Sequence, residues 1–130
     1  MKLYWTMPSP LKAYFTHELA TYERALADGR LELAWHHLER AHVLGQSWPM
    51  EHSRVHWLML RFGFKIKSYR EILGQLPRLI LGGVKSWLGV IPVGNTGGAD
   101  VPGLRPMPLT GDLEVLLKIY RPELAQTTAR

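Results

Sequence analysis

The chain has 130 residues and a mass of 14.9 kDa, the length of one domain and too short for two ordinary ones. Hydrophobic residues at 46%, charged residues at 21% and a mean hydropathy of −0.10 describe a folded globule and exclude a disordered chain. Cysteine is absent, which excludes disulfide scaffolds, Cys-ligated zinc, iron–sulfur clusters and thiol nucleophiles, while a net charge of +5 permits anionic partners without requiring them.

The opening MKLYWTMPSPLK has one early Lys but neither the apolar run nor the small-residue cleavage site of a secretory signal. Pro77, Arg78 and Lys85 interrupt the longest apolar region, Leu76 to Gly94, so no membrane span is expected. The cytoplasm is the expected compartment.

Residues 1–130 read as a single helical domain. Helical hairpins are expected over 9–88, an irregular Gly/Pro loop over 89–110, a short helix over 111–121 and a frayed tail over 122–130. The first helix should start at Ser9-Pro10, with serine as N-cap and proline in the first turn. Leu11, Tyr14, Phe15, Leu19, Tyr22, Ala25 and Leu26 give it an apolar stripe at helical spacing, and Asp28-Gly29 stops it. The second helix carries Leu31, Ala34, Trp35, Leu38 and Ala41 on one face and ends near Gly45; the short connection makes the first two helices an antiparallel hairpin.

Trp48-Pro49 opens a third helix with the stripe Val55, Leu58, Met59 and Phe62, and Gly63 is its expected stop. Ser68 opens a fourth helix, because Ser68-x-x-Glu71 has capping-box spacing. Ile72, Leu73, Leu76, Leu79 and Ile80 form its apolar face. Pro77 should kink or break it, and Gly82-Gly83 should end it, with a further turn to Leu88 as an option. From Gly89 to Thr110 periodicity vanishes, and this glycine- and proline-rich run is longer than ordinary loops, so it is functional or wraps the surface. Asp112 to Tyr120, with Leu113, Leu116, Leu117 and Tyr120 aligned, is a last amphipathic helix that docks back on the bundle.

Two resemblances add to this. GRLELAWHHLERAHVLG, with Gly29, Ala34 and Ala41 at the small-residue positions, resembles half of a tetratricopeptide repeat. No second copy follows, so the expectation is tetratricopeptide-like packing of two hairpins, not an array. HLERAHVLGQ at 37–46, the His52…His56 pair, the ILGQ of the fourth helix and PVGNTGG at 92–98 followed by PMP at 106–108 resemble an uncharacterised bacterial family, domain-of-unknown-function family 3703. That resemblance runs over most of residues 10 to 115. It implies encoding among heavy-metal resistance genes, and hence a metal-stress role, but supplies no activity to carry over.

Chemistry concentrates in histidine: five of six lie between residues 36 and 56. His52 and His56 stand at i, i+4, where two imidazoles on one helix face can grip one ion. Glu39 and His42 have the Glu-x-x-His spacing of helical-bundle metal sites, and His42 shares a face with Leu38 and Trp35. Antiparallel packing brings the His42 end of one helix beside the His52 end of the next. Glu39, His42, His52 and His56 are therefore the candidate ligands, and nitrogen with carboxylate suits zinc, nickel, copper(II) or iron(II), with Met59 tilting toward copper(I). No organic cofactor is indicated. The same residues also read as a metal-free polar cluster. His17 should be solvated, and His36 and His37 are weaker ligand candidates.

Gln46, Met59, Glu71, Gln75 and Arg78 are candidates for a supporting shell. Glu71 is explained mainly by its capping position, and Gln75 and Arg78 form a polar row that can bond the long loop or an anion. Gly94, Asn95, Thr96, Gly97 and Gly98 lack the Lys-Ser/Thr ending of a phosphate loop. They read as tight turns needing positive φ, and as a candidate lid over the histidines.

Basic charge is uneven: residues 52–90 carry a net +6 and the remainder −1. Trp57, Phe62, Phe64 and Tyr69 are interspersed, mostly at core spacing, so a solvated basic face is expected in preference to nucleic-acid or membrane contact. Three functions follow. The first is a small metal-binding protein in a metal-stress context. The second is a tetratricopeptide-like module for a protein partner, its histidines structural. The third is a metalloenzyme with an open coordination position, for which no catalytic residue can be named. Enzyme status stays undecided, and oligomeric state is not readable.

Overall fold

The structure is a computed structural model, and it describes residues 6–87, 93–102 and 105–121, with side chains to 81 in the first stretch. Five helices make it up: α1 Ser9–Ala27, α2 Leu31–Gly45, α3 Pro49–Lys65, α4 Tyr69–Trp87 and α5 Gly111–Tyr120. No strand occurs among the described residues. α1 packs on α2, α3 on α4, α2 on α3, and α5 returns to α2. The frayed tail and the first residues of the expected loop lie outside the described residues.

Helix ends follow local chemistry, with two departures. Pro8 rather than Ser9 occupies the N-cap of α1, because Pro10 then falls in the first turn with Ser9 already helical. The other end closes at Gly29, where Arg30 N–H donates to the Ala25 carbonyl and Gly29 N–H to that of Leu26. Gly29 has φ 72°, the left-handed conformation that glycine reaches without strain. α3 ends by the same pair of bonds, Ser68 N–H to Gly63 O and Lys67 N–H to Phe64 O. Here Lys67 takes the left-handed position at φ 56°. Gly63 does not stop the helix. It lies inside α3 as a contact point: a Cβ there would stand 3.1 Å from Glu71 Cβ and 3.3 Å from Ile72 N on α4.

The core is built by Leu11, Phe15 and Leu19 of α1, Leu38 and Leu44 of α2, Trp48, and Val55 and Met59 of α3. Leu113 and Leu117 of α5 close it. No described side chain of α4 belongs to this apolar cluster. The apolar face expected to be buried is only partly so: Leu73, Leu76 and Ile80 are exposed and Ile72 and Leu79 half-buried, whereas Gln75 is fully buried. Glu71 and Arg78, its row-mates, are half-buried. The reason lies in what α4 packs against. The loop after it presents backbone N–H and C=O groups that belong to no helix, and such groups need polar partners. The polar row of α4 turns inward to supply them, and Leu73, Leu76 and Ile80 are left outside.

Pro77 does not break α4, and the helix continues through Gly82 and Gly83 to Trp87. The carbonyl deprived of its donor by Pro77 belongs to Leu73, one turn earlier, and both residues are exposed. Exposure leaves that carbonyl open to solvent, so the missing bond costs little. Trp57, Phe64 and Tyr69, expected at core spacing, are also exposed, whereas Phe62 is buried.

Candidate metal centre

Three imidazoles meet in the interior. His42, near the end of α2, faces His52 and His56, one turn apart on α3. All three are 2–4% exposed. Their Nε2 atoms form a triangle: His42 to His52 3.1 Å, His42 to His56 3.2 Å, His52 to His56 2.9 Å. His42 stands edge to face with both other rings, which are tilted to each other, and the centroids are 4.7–4.9 Å apart.

The outer nitrogens fix the tautomers. His42 Nδ1 lies 2.7 Å from the Asn95 carbonyl oxygen, which only accepts, so the proton of the neutral ring sits on Nδ1 and Nε2 presents a lone pair. His56 Nδ1 lies 2.6 Å from Gln75 Oε1. The Gln75 amide is oriented by its other end, since Nε2 donates to Glu71 Oε2 at 3.0 Å and to the Gly97 carbonyl at 2.9 Å. Turning the amide over would set oxygen against two acceptors. His56 therefore also carries its proton on Nδ1, and two bare Nε2 lone pairs face each other across 3.2 Å. Burial, then the charges of His56 and His52, push the His42 pKa well below its ordinary value. A proton is thus a poor means of relieving the contact. These three histidines are a group that can hold a metal ion.

The loop roofs the cluster. Gly97, at φ 84°, lies flat on the His42 ring, where a Cβ would fall 2.5 Å from Cδ2 and 2.8 Å from Nε2. Gly94 also has positive φ, 80°. Asn95 is buried and holds the turn closed: its Oδ1 accepts from Gly97 N–H at 2.9 Å, and its Nδ2 donates to the Pro102 and Arg105 carbonyls, both at 2.8 Å. Arg78 grips the same loop from α4, donating to the carbonyls of Gly97 (2.9 Å), Gly98 and Val101 (2.6 Å). Glu71 completes the clamp through Oε1, which accepts from Ala99 N–H at 2.7 Å. Its own N–H donates to Ser68 Oγ at 3.3 Å. Ser68 therefore caps α4, but the Glu71 carboxylate serves the loop and Gln75 instead of reaching back.

The other expected residues fall as follows. Glu39 is not in the group whose ligand atoms lie within 4.8 Å of one another. It is half-buried and lines a cavity of about 130 Å³ with His36, Arg40, Thr96 and Leu113. Burial first, then the Asp100 carboxylate, raises its pKa. Met59 is fully buried, with its sulfur 3.5 Å from Gln75 Nε2. Gln46 is buried at the end of α2. His17 is exposed, and His37 Nδ1 is 2.7 Å from Glu18 Oε2, in a network that Arg40 extends to Asp112. The Asn95 carbonyl was not foreseeable as the His42 partner, because a backbone acceptor carries no side-chain signature. The one signal was an Asn two residues before a glycine, the pattern of a side-chain-closed turn.

Fold and site together define an all-helical protein whose buried histidine cluster is closed by a glycine-rich loop. A family model for proteins of unknown function, DUF3703, matches residues 9–117, and the chain belongs to that family. No curated protein and no solved structure matches it. No helix among the described residues is long and apolar enough to cross a membrane.

Proposed function

We propose that this protein binds one transition-metal ion on the Nε2 atoms of His42, His52 and His56. One observation carries the reading: the Nδ1 partners of His42 and His56 leave two Nε2 lone pairs opposed at 3.2 Å, with His52 Nε2 within 3.1 Å of both. His52 can donate to one of them at most, and none can donate between the other two. A cation shared by all three removes the repulsion. The three Nε2 atoms would hold such an ion together, and three protein ligands would leave it able to take a further one. Zinc, copper, nickel and iron all accept imidazole nitrogen.

Gln75 and the Asn95 carbonyl are the groups that orient the ligand rings, as second partners of metal-bound histidines do. Met59 and Glu39 are the candidates from the sequence pattern to add a ligand. The family resemblance suits a role in handling such an ion under metal stress in the cytoplasm. The test is elemental analysis of untagged protein purified without added metal, beside His52→Ala/His56→Ala. About one equivalent of zinc, copper, nickel or iron, lost in the double variant, supports the reading. Protein that is metal-free and binds none of these ions at micromolar concentration overturns it, and leaves a tetratricopeptide-like interaction module with structural histidines.

A further inference from the structure

The outward face of α4 and the turn before it form a second feature that owes nothing to the histidines. Tyr69, Leu73, Leu76 and Ile80 follow one another at spacings of four, three and four, which puts them on one face of the helix. They are exposed, Tyr69 to 79%, Leu73 to 68% and Ile80 to 72%. The row is about 17 Å long at the rise of an α-helix. Phe64, 60% exposed, and Ile66 continue it through the turn from α3. Single exposed apolar residues are ordinary, but a contiguous strip of this kind marks a surface that is covered by something.

The charges beside it indicate what covers it. Lys67 and Arg70, on either side of Tyr69 in the chain, are both exposed, and no ion pair engages them among the described residues. Glu71, the acidic residue of this stretch, is turned inward onto Gln75 and Ala99. Arg61 and Lys65 lie apart from this row, lining a groove with Tyr22, Glu23 and Leu26 of α1. A second copy pairing through this face would bring like cations together, because a two-fold interface opposes a patch to itself. Nucleic acid would use the cations but leave exposed Leu and Ile with no apolar surface to enter. An anionic bilayer satisfies both halves: headgroup phosphates meet the cations while the apolar row enters the acyl boundary.

We propose that the α3–α4 hairpin docks peripherally on anionic membrane surfaces, with the Tyr69–Ile80 row lying in the interface. The helix lies on the bilayer and does not span it, in keeping with its length and hydropathy. The expectation of a solvated basic face treated the interspersed aromatics as core; their exposure changes that reading.

The test is co-sedimentation of the full chain with vesicles of phosphatidylcholine alone and of phosphatidylcholine mixed with phosphatidylglycerol. Binding to the mixed vesicles that weakens as salt is raised is the expected result. Lys67→Gln/Arg70→Gln should weaken it about 30-fold, a factor of about five for each cation. Leu73→Gln/Ile80→Gln should abolish it, with the helical circular dichroism unchanged because both positions are exposed. Equal indifference to both vesicle types overturns the proposal. So does a dimer in light scattering that Leu73→Gln/Ile80→Gln dissociates, which assigns the face to a second copy. Duplex DNA binding that survives Leu73→Gln/Ile80→Gln, without vesicle binding, overturns it in favour of nucleic acid.

Discussion

Gln75 Oε1 accepts a 2.6 Å hydrogen bond from His56 Nδ1, and this contact between α4 and α3 decides which ring nitrogen faces the other two imidazoles. Gln75 does so while its amide nitrogen is held by Glu71 and the Gly97 carbonyl. One side chain thus connects a ligand ring, a helix and the loop above it. Gln75→Leu keeps the size of the residue but removes the acceptor. Metal affinity should fall by about 10- to 100-fold, read by competition against a chromophoric chelator. Unchanged affinity would show that the His56 tautomer is set elsewhere.

Gly97 and Gly29 share the left-handed conformation but differ in surroundings. At Gly29 nothing lies within 4 Å of an added Cβ, so Gly29→Ala carries backbone strain alone, about 1–2 kcal/mol. At Gly97 the Cβ meets the His42 ring, and overpacking adds roughly 1–3 kcal/mol. Denaturant unfolding should rank the two variants in that order. Gly97→Ala alone should also weaken metal binding, since the loop must lift from His42.

The pH dependence follows from His42. Its folded pKa lies well below the ordinary 6.5, so on acidification the unfolded chain takes up the proton first. Stability of the metal-free protein is then present above about pH 6.5 and declines as pH falls below it. Protons compete with the ion for the same nitrogens, so a bound metal should be released over the same acid range. Equilibrium dialysis at a series of pH values measures the release. Retention of the ion in strong acid would contradict imidazole ligation.

Two residues before His42 on α2, Arg40 pairs with Asp112 at the start of α5 and holds the carboxyl pKa down to about 2. The sign is that of a depressed carboxylate: its contribution is present above 3.8 and is lost as pH falls toward 2. Arg40→Gln should return the Asp112 midpoint toward 3.8, as followed by carboxyl NMR titration. A midpoint that stays near 2 would assign the shift to Thr110 and the helix N-terminus instead.

Lys67 holds a left-handed conformation that costs an L-residue roughly 1–2 kcal/mol. Lys67→Gly should raise stability by about 1 kcal/mol, less the added flexibility of the unfolded chain. Thermal or urea unfolding checks it, and a loss of stability would mean that the Lys67 side chain makes up for its backbone.

Much of the site was legible because its parts are local. The i, i+4 spacing of His52 and His56, and the place of His42 on the face of Leu38, are set by helical periodicity. A short turn between α2 and α3 then brings the two faces together. Glu39 looked equivalent to His42 by spacing, but the close histidine group does not include it, and it lines a cavity with His36, Arg40 and Thr96. Gly63 read as a stop because glycine often is one, while its actual use, to let Glu71 and Ile72 approach, depends on α4.

The sequence by itself determined that this chain is helical, where each helix lies to within a few residues, and that its histidines can meet. Those are consequences of periodicity and of Gly and Pro, which act on their own neighbours. Only the tertiary structure decided which way α4 faces. Its apolar row outnumbers its polar one and pattern alone would bury it. Besides α3, its polar row meets loop backbone groups that belong to no helix, and burying those without partners costs more than leaving Leu73 and Ile80 in water.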